Sequence, residues 1–166
     1  MGGSDCGSAM YRYKVFPEHR LVFIYFFGDY IGAEGDRAIW EVLNIEGVEV
    51  VAQIRSVIFD LRNIESITLK DTDVARVMHF EKQLLDFFEK LGQDSMSIVK
   101  NVQIYAIEPA EPRLKDLFLE RLARMNISQR ITLNTEVRPT LESILDDLGL
   151  PDLIHRQELI SSSSGF

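Results

Sequence analysis

Val57-Ile58-Phe59-Asp60-Leu61-Arg62-Asn63-Ile64 is the stretch on which the fold turns. Val57 to Leu61 is apolar and β-branched until an aspartate near its C-terminal end, as expected of a central parallel-type strand whose two faces are both covered. Parallel neighbours need crossovers, so helices should stand on either side of it in the sequence. Upstream, from Asp36, the period changes: Ile39, Trp40 and Leu43 fall on one helical face, and Gly47 ends that helix. Downstream, Val74, Val77, Met78, Leu84, Leu85, Phe88 and Leu91 recur at helical spacing, with Gly92 at the stop position.

Farther out the alternation continues. Tyr11 to Phe16 alternates ring or apolar with basic residues, Pro17-Glu18-His19-Arg20 supplies a turn, and Leu21 to Phe27 reads as a second strand, making an antiparallel hairpin. Towards the C-terminus, Val102 to Ile107 is a strand broken by Pro109 and Pro112. A helix follows from about Arg113, burying Leu114, Leu117, Phe118, Leu122 and Met125, with Asn126 as its cap. Ile131 to Leu133 reads as a short strand. Pro139 opens a last helix through Leu141, Ile144, Leu145 and Leu148, closed by Gly149 and Pro151. The expected fold class is α/β: a single mixed, mainly parallel sheet with an initial antiparallel hairpin, in the order β-β-α-β-α-β-α-β-α. One domain is expected over residues 11–150, between a disordered leader at 1–10 and a flexible tail at 151–166.

The 166 residues carry 26 acids and 18 bases, a formal charge of −8, and 46% of them are hydrophobic. That is enough apolar material for one real core. The acidity argues against nucleic acid, since no basic stripe is present to neutralise phosphates. No apolar run approaches the roughly 20 residues of a membrane-spanning helix. The single cysteine, Cys6, rules out an internal disulfide or a cysteine cluster, and a reducing, cytoplasmic setting is expected.

Chemistry-bearing patterns are sparse. Gly28-Asp29-Tyr30-Ile31-Gly32-Ala33-Glu34-Gly35 stands between a strand and a helix, but lacks the spacing of a dinucleotide loop and the Gly-Lys-Ser/Thr of a P-loop, while Asp29, Glu34 and Asp36 would repel an anion. His19, His79 and His155 have no partner at metal-ligand spacing. Asp146 and Asp147 are adjacent on a helix and point apart. No serine occupies a nucleophile elbow. No cofactor, metal or catalytic residue is expected, and the chain reads as a non-enzyme. The stronger surface is Thr68-Leu69-Lys70-Asp71-Thr72-Asp73, at the C-terminal edge of the central strand, where α/β folds place their sites. Asp71 or Thr72 can cap the following helix and Asp73 complements its dipole.

The ordered set of elements resembles the STAS domain, the fold of bacterial anti-sigma-factor antagonists and of regulatory domains on anion transporters. The resemblance spans about Tyr11 to Leu150. It rests on Gly28-Asp29-Tyr30 where the family has Gly-x-Leu, on Val57 to Ile64 where it has Val-x-Leu-Asp-Leu-x-x-Val, and on the closing strand and helix from Ile131 to Leu148. In the family an Asp-Ser-Ser-Gly motif after the third strand carries a phosphorylated serine. Here a gapless register puts Thr68-Leu69-Lys70-Asp71 at that place, and a three-residue insertion puts Asp71-Thr72-Asp73-Val74 there. Neither supplies the serine; Thr72 is the weaker candidate acceptor, expected to be unmodified under most conditions.

The resemblance implies a regulatory domain whose partner is a protein, such as an anti-sigma factor or a kinase-like regulator, bound through Thr68, Lys70, Asp71, Thr72, Asp73 and Arg76 in the loop after the third strand and the start of the second helix. The alternative is a carrier of an apolar small ligand or lipid, as in the STAS-like branch related to CRAL-TRIO proteins, with a cavity beneath the aromatic second strand. Phe23, Tyr25, Phe26 and Phe27 are expected to be core first. A homodimer is left open. The acids gather on the first and last helices and their flanks, so a partner docking there is expected to be basic.

Overall fold

The computed structural model describes residues 11–30, 33–68, 73–92, 102–128 and 134–156. The expected leader at 1–10, the strand at Ile131 to Leu133 and the end of the tail at 157–166 lie outside the described residues. Strand β1 (Tyr11–Phe16) pairs antiparallel with β2 (Leu21–Tyr30), from Tyr11 opposite Phe26 to Phe16 opposite Leu21. Pro17 presets φ for the 3-10 turn Pro17–His19. Arg20 closes that turn in the left-handed region at φ 53°, its N–H donating to the Pro17 carbonyl at 3.1 Å.

Every later pairing is parallel: β2 with β3 (Ser56–Ile67), β3 with β4 (Gln103–Ile107), and β4 with β5 (Asn134–Arg138). The sheet order is β1-β2-β3-β4-β5, so each crossover joins adjacent strands. The crossovers are α1 (Ala33–Glu46), α2 (Asp73–Lys90) and α3 (Pro112–Ser128), and α4 (Leu141–Asp147) follows β5. Gly47, at φ 92°, separates α1 from a four-residue helical turn, Val48–Val51. The mixed α/β architecture expected from the sequence is therefore the one observed.

Two layers cover the sheet. Ala38 and Val42 of α1, with Leu114 and Phe118 of α3, pack on Phe26, Leu61, Ile104 and Ala106. On the same side, α1 and α2 meet through Leu43, Phe80, Leu84 and Phe88, and Trp40 sets its ring edge-on to Phe80 and Phe87 at 5.9 and 5.5 Å. The opposite face carries Phe16, Phe23, Ile58 and Ile107 under Leu141, Ile144 and Leu145 of α4. Phe23, Tyr25 and Phe26 are buried, as expected for core, whereas Phe27 is only partly covered.

The boundaries differ from the sequence reading at several places. β2 continues through Gly28, Asp29 and Tyr30, so these residues are strand and not the opening of a loop; Gly28 takes φ 73° beside a register shift between Gly28 and Asp29. Glycine adopts that positive φ because it carries no Cβ. β3 does not stop at Leu61 but runs to Ile67, which leaves Asp60 in mid-strand instead of at its end. Leu91, expected on the buried stripe of α2, is 47% exposed. The last helix begins after Thr140, whose hydroxyl accepts the Ser143 N–H at 3.2 Å. Pro151–His155, which the sequence reading assigns to the tail, forms a 3-10 turn that buries Leu153 against the α4 side of the sheet.

Candidate functional site

The longest strand pair in the sheet is also the one that builds the site. β4 pairs with β3 only as far as Ile107 opposite Asp60, while β2 and β3 stay paired through Tyr30 opposite Ile67. A two-stranded ribbon therefore continues past the last β3–β4 pair, and two bulges in β3 give it extra twist. One side of the ribbon is backed by α3: the Tyr30 ring lies edge-on to Phe118 at 6.3 Å, and the buried Arg121 guanidinium sits over it at 5.5 Å. The other side presents polar groups beside α4.

At the foot of that polar side, Asp60 is fully buried and is held by Arg62 through a bidentate pair, Nε to Oδ1 at 2.9 Å and Nη2 to Oδ2 at 2.7 Å. The Arg62 backbone N–H adds a third bond to Oδ1 at 3.1 Å. Residues 60 and 62 share one side of the strand, as alternation requires, and the Arg62 N–H beside the register shift turns towards the same carboxylate. The hydrogen bond to Asp60 is the largest influence on Arg62 and raises its pKa. Next to it, burial first and the Asp60 charge second push the Tyr25 phenol above its usual value, with a hydrogen bond to Asn63 opposing. Phe27 follows on β2, with the Arg12 guanidinium over its ring at 5.7 Å.

At the tip, Asp29 gathers two hydroxyls. Ser66 Oγ donates to Oδ1 at 2.7 Å, and Thr68 Oγ1 approaches both carboxylate oxygens at 3.2 and 3.4 Å. The Thr68 N–H donates to the Tyr30 carbonyl at 3.1 Å, so strand pairing extends to the first residue of the loop. This is a clamp: one carboxylate on β2 fixes the departure of the chain from β3.

Of the residues expected to bind a partner, Thr68 lies in this clamp. Lys70, Asp71 and Thr72 lie outside the described residues, and with them the expected cap and the candidate acceptor. Asp73 is the first residue of α2 and Arg76 follows in its opening turn, with their side chains outside the described set. His19, His79 and His155 are on a turn, on α2 and on the final 3-10 turn. Asp29, Asn63 and Ser66 were not singled out from the sequence as binding residues. Their signal was the β-branched Ile64, Ile67 and Thr68 interleaved with polar residues, a half-buried strand pattern continuing past Leu61.

A separate feature lies on the α1–α2 side, beneath β2. A partly open pocket of about 90 Å³ is lined, among the described residues, by aliphatic and phenyl side chains, including Val22, Val57 and Ile104 of the sheet and Val42, Leu84 and Phe88 of the helices. Among the described residues no helix is long and apolar enough to cross a membrane.

No protein-family model matches the chain, and no curated protein matches it. Among solved structures it is similar to the anti-sigma factor antagonist SpoIIAA in its unphosphorylated form. The identity is 12%, the match covers 82% of this chain and 94% of that one, and the TM-score is 0.40.

Proposed function

We propose that this chain is a non-catalytic, cytoplasmic regulatory domain of the STAS type that binds a protein partner through the end of β3, the loop after it and the start of α2. The observation that carries this reading is the Asp29–Ser66–Thr68 clamp at the tip of the β2–β3 ribbon. It gives a preorganised exit for the loop at the C-terminal edge of the parallel strands, where α/β folds place recognition surfaces. The order of elements and the sequence of β3 support the same assignment. The acidic flanks favour a basic partner, and without a serine at the expected position the partner is held without the family's phosphoserine switch.

A carrier of a drug-sized ligand is poorly supported. The cavity of about 90 Å³ falls well below the roughly 300 Å³ at which such pockets begin.

The test is affinity capture from native lysate with wild type, Asp73→Arg, and Glu18→Arg as a control at an exposed position in the turn between β1 and β2, at the opposite edge of the parallel strands. Loss of the captured proteins in Asp73→Arg, with retention in the control, is expected. Identical sets from all three baits would remove the loop and helix start from the interface.

A further inference from the structure

β1 stands at one end of the sheet, and among the described residues its neighbour is β2 alone. In an antiparallel pair, alternate residues turn both N–H and C=O towards the partner strand, and the residues between them turn theirs away. β1 therefore presents a row of backbone donors and acceptors along its second edge. Sheet edges are commonly blunted by bulges or by charge. The β1–β2 register runs unbroken from Tyr11 to Phe16, so no bulge twists this edge away. Its guard is charge: Arg12 and Lys14 are both exposed, and Lys14 makes no ion pair among the described residues. At the opposite end of the sheet the β5 cation, Arg138, is engaged within the chain by Glu136 and Asp147.

The two faces of β1 differ in kind. By alternation, Arg12 and Lys14 share the α4 side with Phe16, and the Arg12 guanidinium lies over the Phe27 ring at 5.7 Å. Tyr11, Tyr13 and Val15 pack on the opposite side with α1, where the two tyrosine hydroxyls donate to Glu41 and Glu46 at 3.1 and 3.5 Å. A strand laid along the open edge thus meets cations on one face. On the other it meets partly buried apolar groups backed by two carboxylates. Charge complementarity then fixes its pattern: acidic residues on the α4 side, uncharged apolar residues on the α1 side. A second copy of this chain does not fit. Any antiparallel register that overlaps two β1 strands sets Arg12 or Lys14 against Arg12 or Lys14, and like charges directly opposite are destabilising.

We propose that the open edge of β1 is a docking site for an extended segment of a partner protein in which acidic and apolar residues alternate, added to the sheet as a further strand. Main-chain hydrogen bonds supply the attachment, and Arg12 and Lys14 select the acidic pattern. Isotope-labelled full-length protein is titrated in an NMR experiment with a synthetic peptide of alternating glutamate and valine, as long as β1. A peptide of the same composition in two blocks and an alternating lysine–valine peptide are the controls. The alternating acidic peptide is expected to shift the amide signals of residues 11–16 saturably, and more weakly as salt is added. Hydrogen exchange should slow by about tenfold or more at every second β1 amide, because the amides between are already paired with β2. Lys14→Glu should weaken binding by about fivefold or more, since it replaces an opposite-charge pair with a like-charge one. Arg12→Glu serves in its place should Lys14→Glu fail to fold. No saturable shift, equal binding of either control peptide, slowed exchange without the alternation, slow exchange at all six amides before any peptide is added, or unchanged binding in the folded variant would overturn the proposal.

Discussion

The Asp60 carboxyl is fully buried, and its bidentate pair with the neighbouring arginine satisfies both of its oxygens. The two partners are unequal: the Asp60 side chain has no exposure, while that of Arg62 is 32% exposed. Removing the arginine strands a buried carboxylate with one backbone N–H, whereas removing the carboxylate leaves a guanidinium that can turn to solvent. Arg62→Met should therefore lower the unfolding free energy by about 3 kcal/mol. Asp60→Asn, which keeps a polar group of the same shape, should cost about 1–2 kcal/mol. Urea denaturation of both variants checks the order, and an Arg62→Met cost below that of Asp60→Asn would contradict it. From sequence, Asp60 reads as the end of a strand; its role as a buried anchor depends on the continuation of β3, which sets the Arg62 N–H and guanidinium around it.

Among the elements, the β2–β3 ribbon is the part whose behaviour bears on function. It has lost β4 as a neighbour by its tip, so the Asp29 clamp and the Tyr30 packing on α3 hold it in register. Asp29→Ala removes the acceptor for both Ser66 and Thr68. Hydrogen exchange at the Thr68 amide, which pairs with the Tyr30 carbonyl, should accelerate by about tenfold or more, with little change at Ile58 or Ile104 in the sheet centre. Uniform acceleration across the sheet would show that Asp29 supports global stability instead. The strands and helices themselves were largely legible, because apolar periodicity reports which faces are buried. Strand lengths were not. Polar residues such as Asn63 and Ser66 look like loop in a local reading, and only pairing with β2 keeps them extended. The edge strand β5, Asn134–Arg138, stands next to the expected Ile131 to Leu133, which lies outside the described residues; residues 134–138 are mostly polar, and their strand character comes from pairing with β4.

For the whole molecule, burial of phenols sets the behaviour at high pH. Tyr13, Tyr25 and Tyr105 all titrate above the usual 10.0, with burial as the first cause in each and nearby carboxylates adding to it. A phenol whose folded pKa is raised favours the folded state while it is protonated; that contribution is complete below the unfolded value and is lost as pH rises through the folded one. Stability should hold up to about pH 10 and fall beyond it. Tyr25→Phe should make the fall shallower, as read from urea midpoints between about pH 9 and about pH 11. An identical slope in the variant would remove Tyr25 from the linkage.

The amino-acid sequence alone determined the fold class, the hairpin start, the alternation of strands and helices, and the acidic balance that argues against nucleic-acid binding, because each follows from local periodicity or from a sum over residues. The tertiary structure decided what no local pattern contains: that Asp29 meets Ser66 and Thr68 across 37 and 39 positions of chain, that Asp60 sits in mid-strand, and that the space beneath β2 is small and, among the described residues, lined by apolar side chains. The physical reason is the same in all three. Strand pairing and layer packing bring together groups far apart in the chain, and the geometry of that meeting depends on register and bulges set by the partner strand.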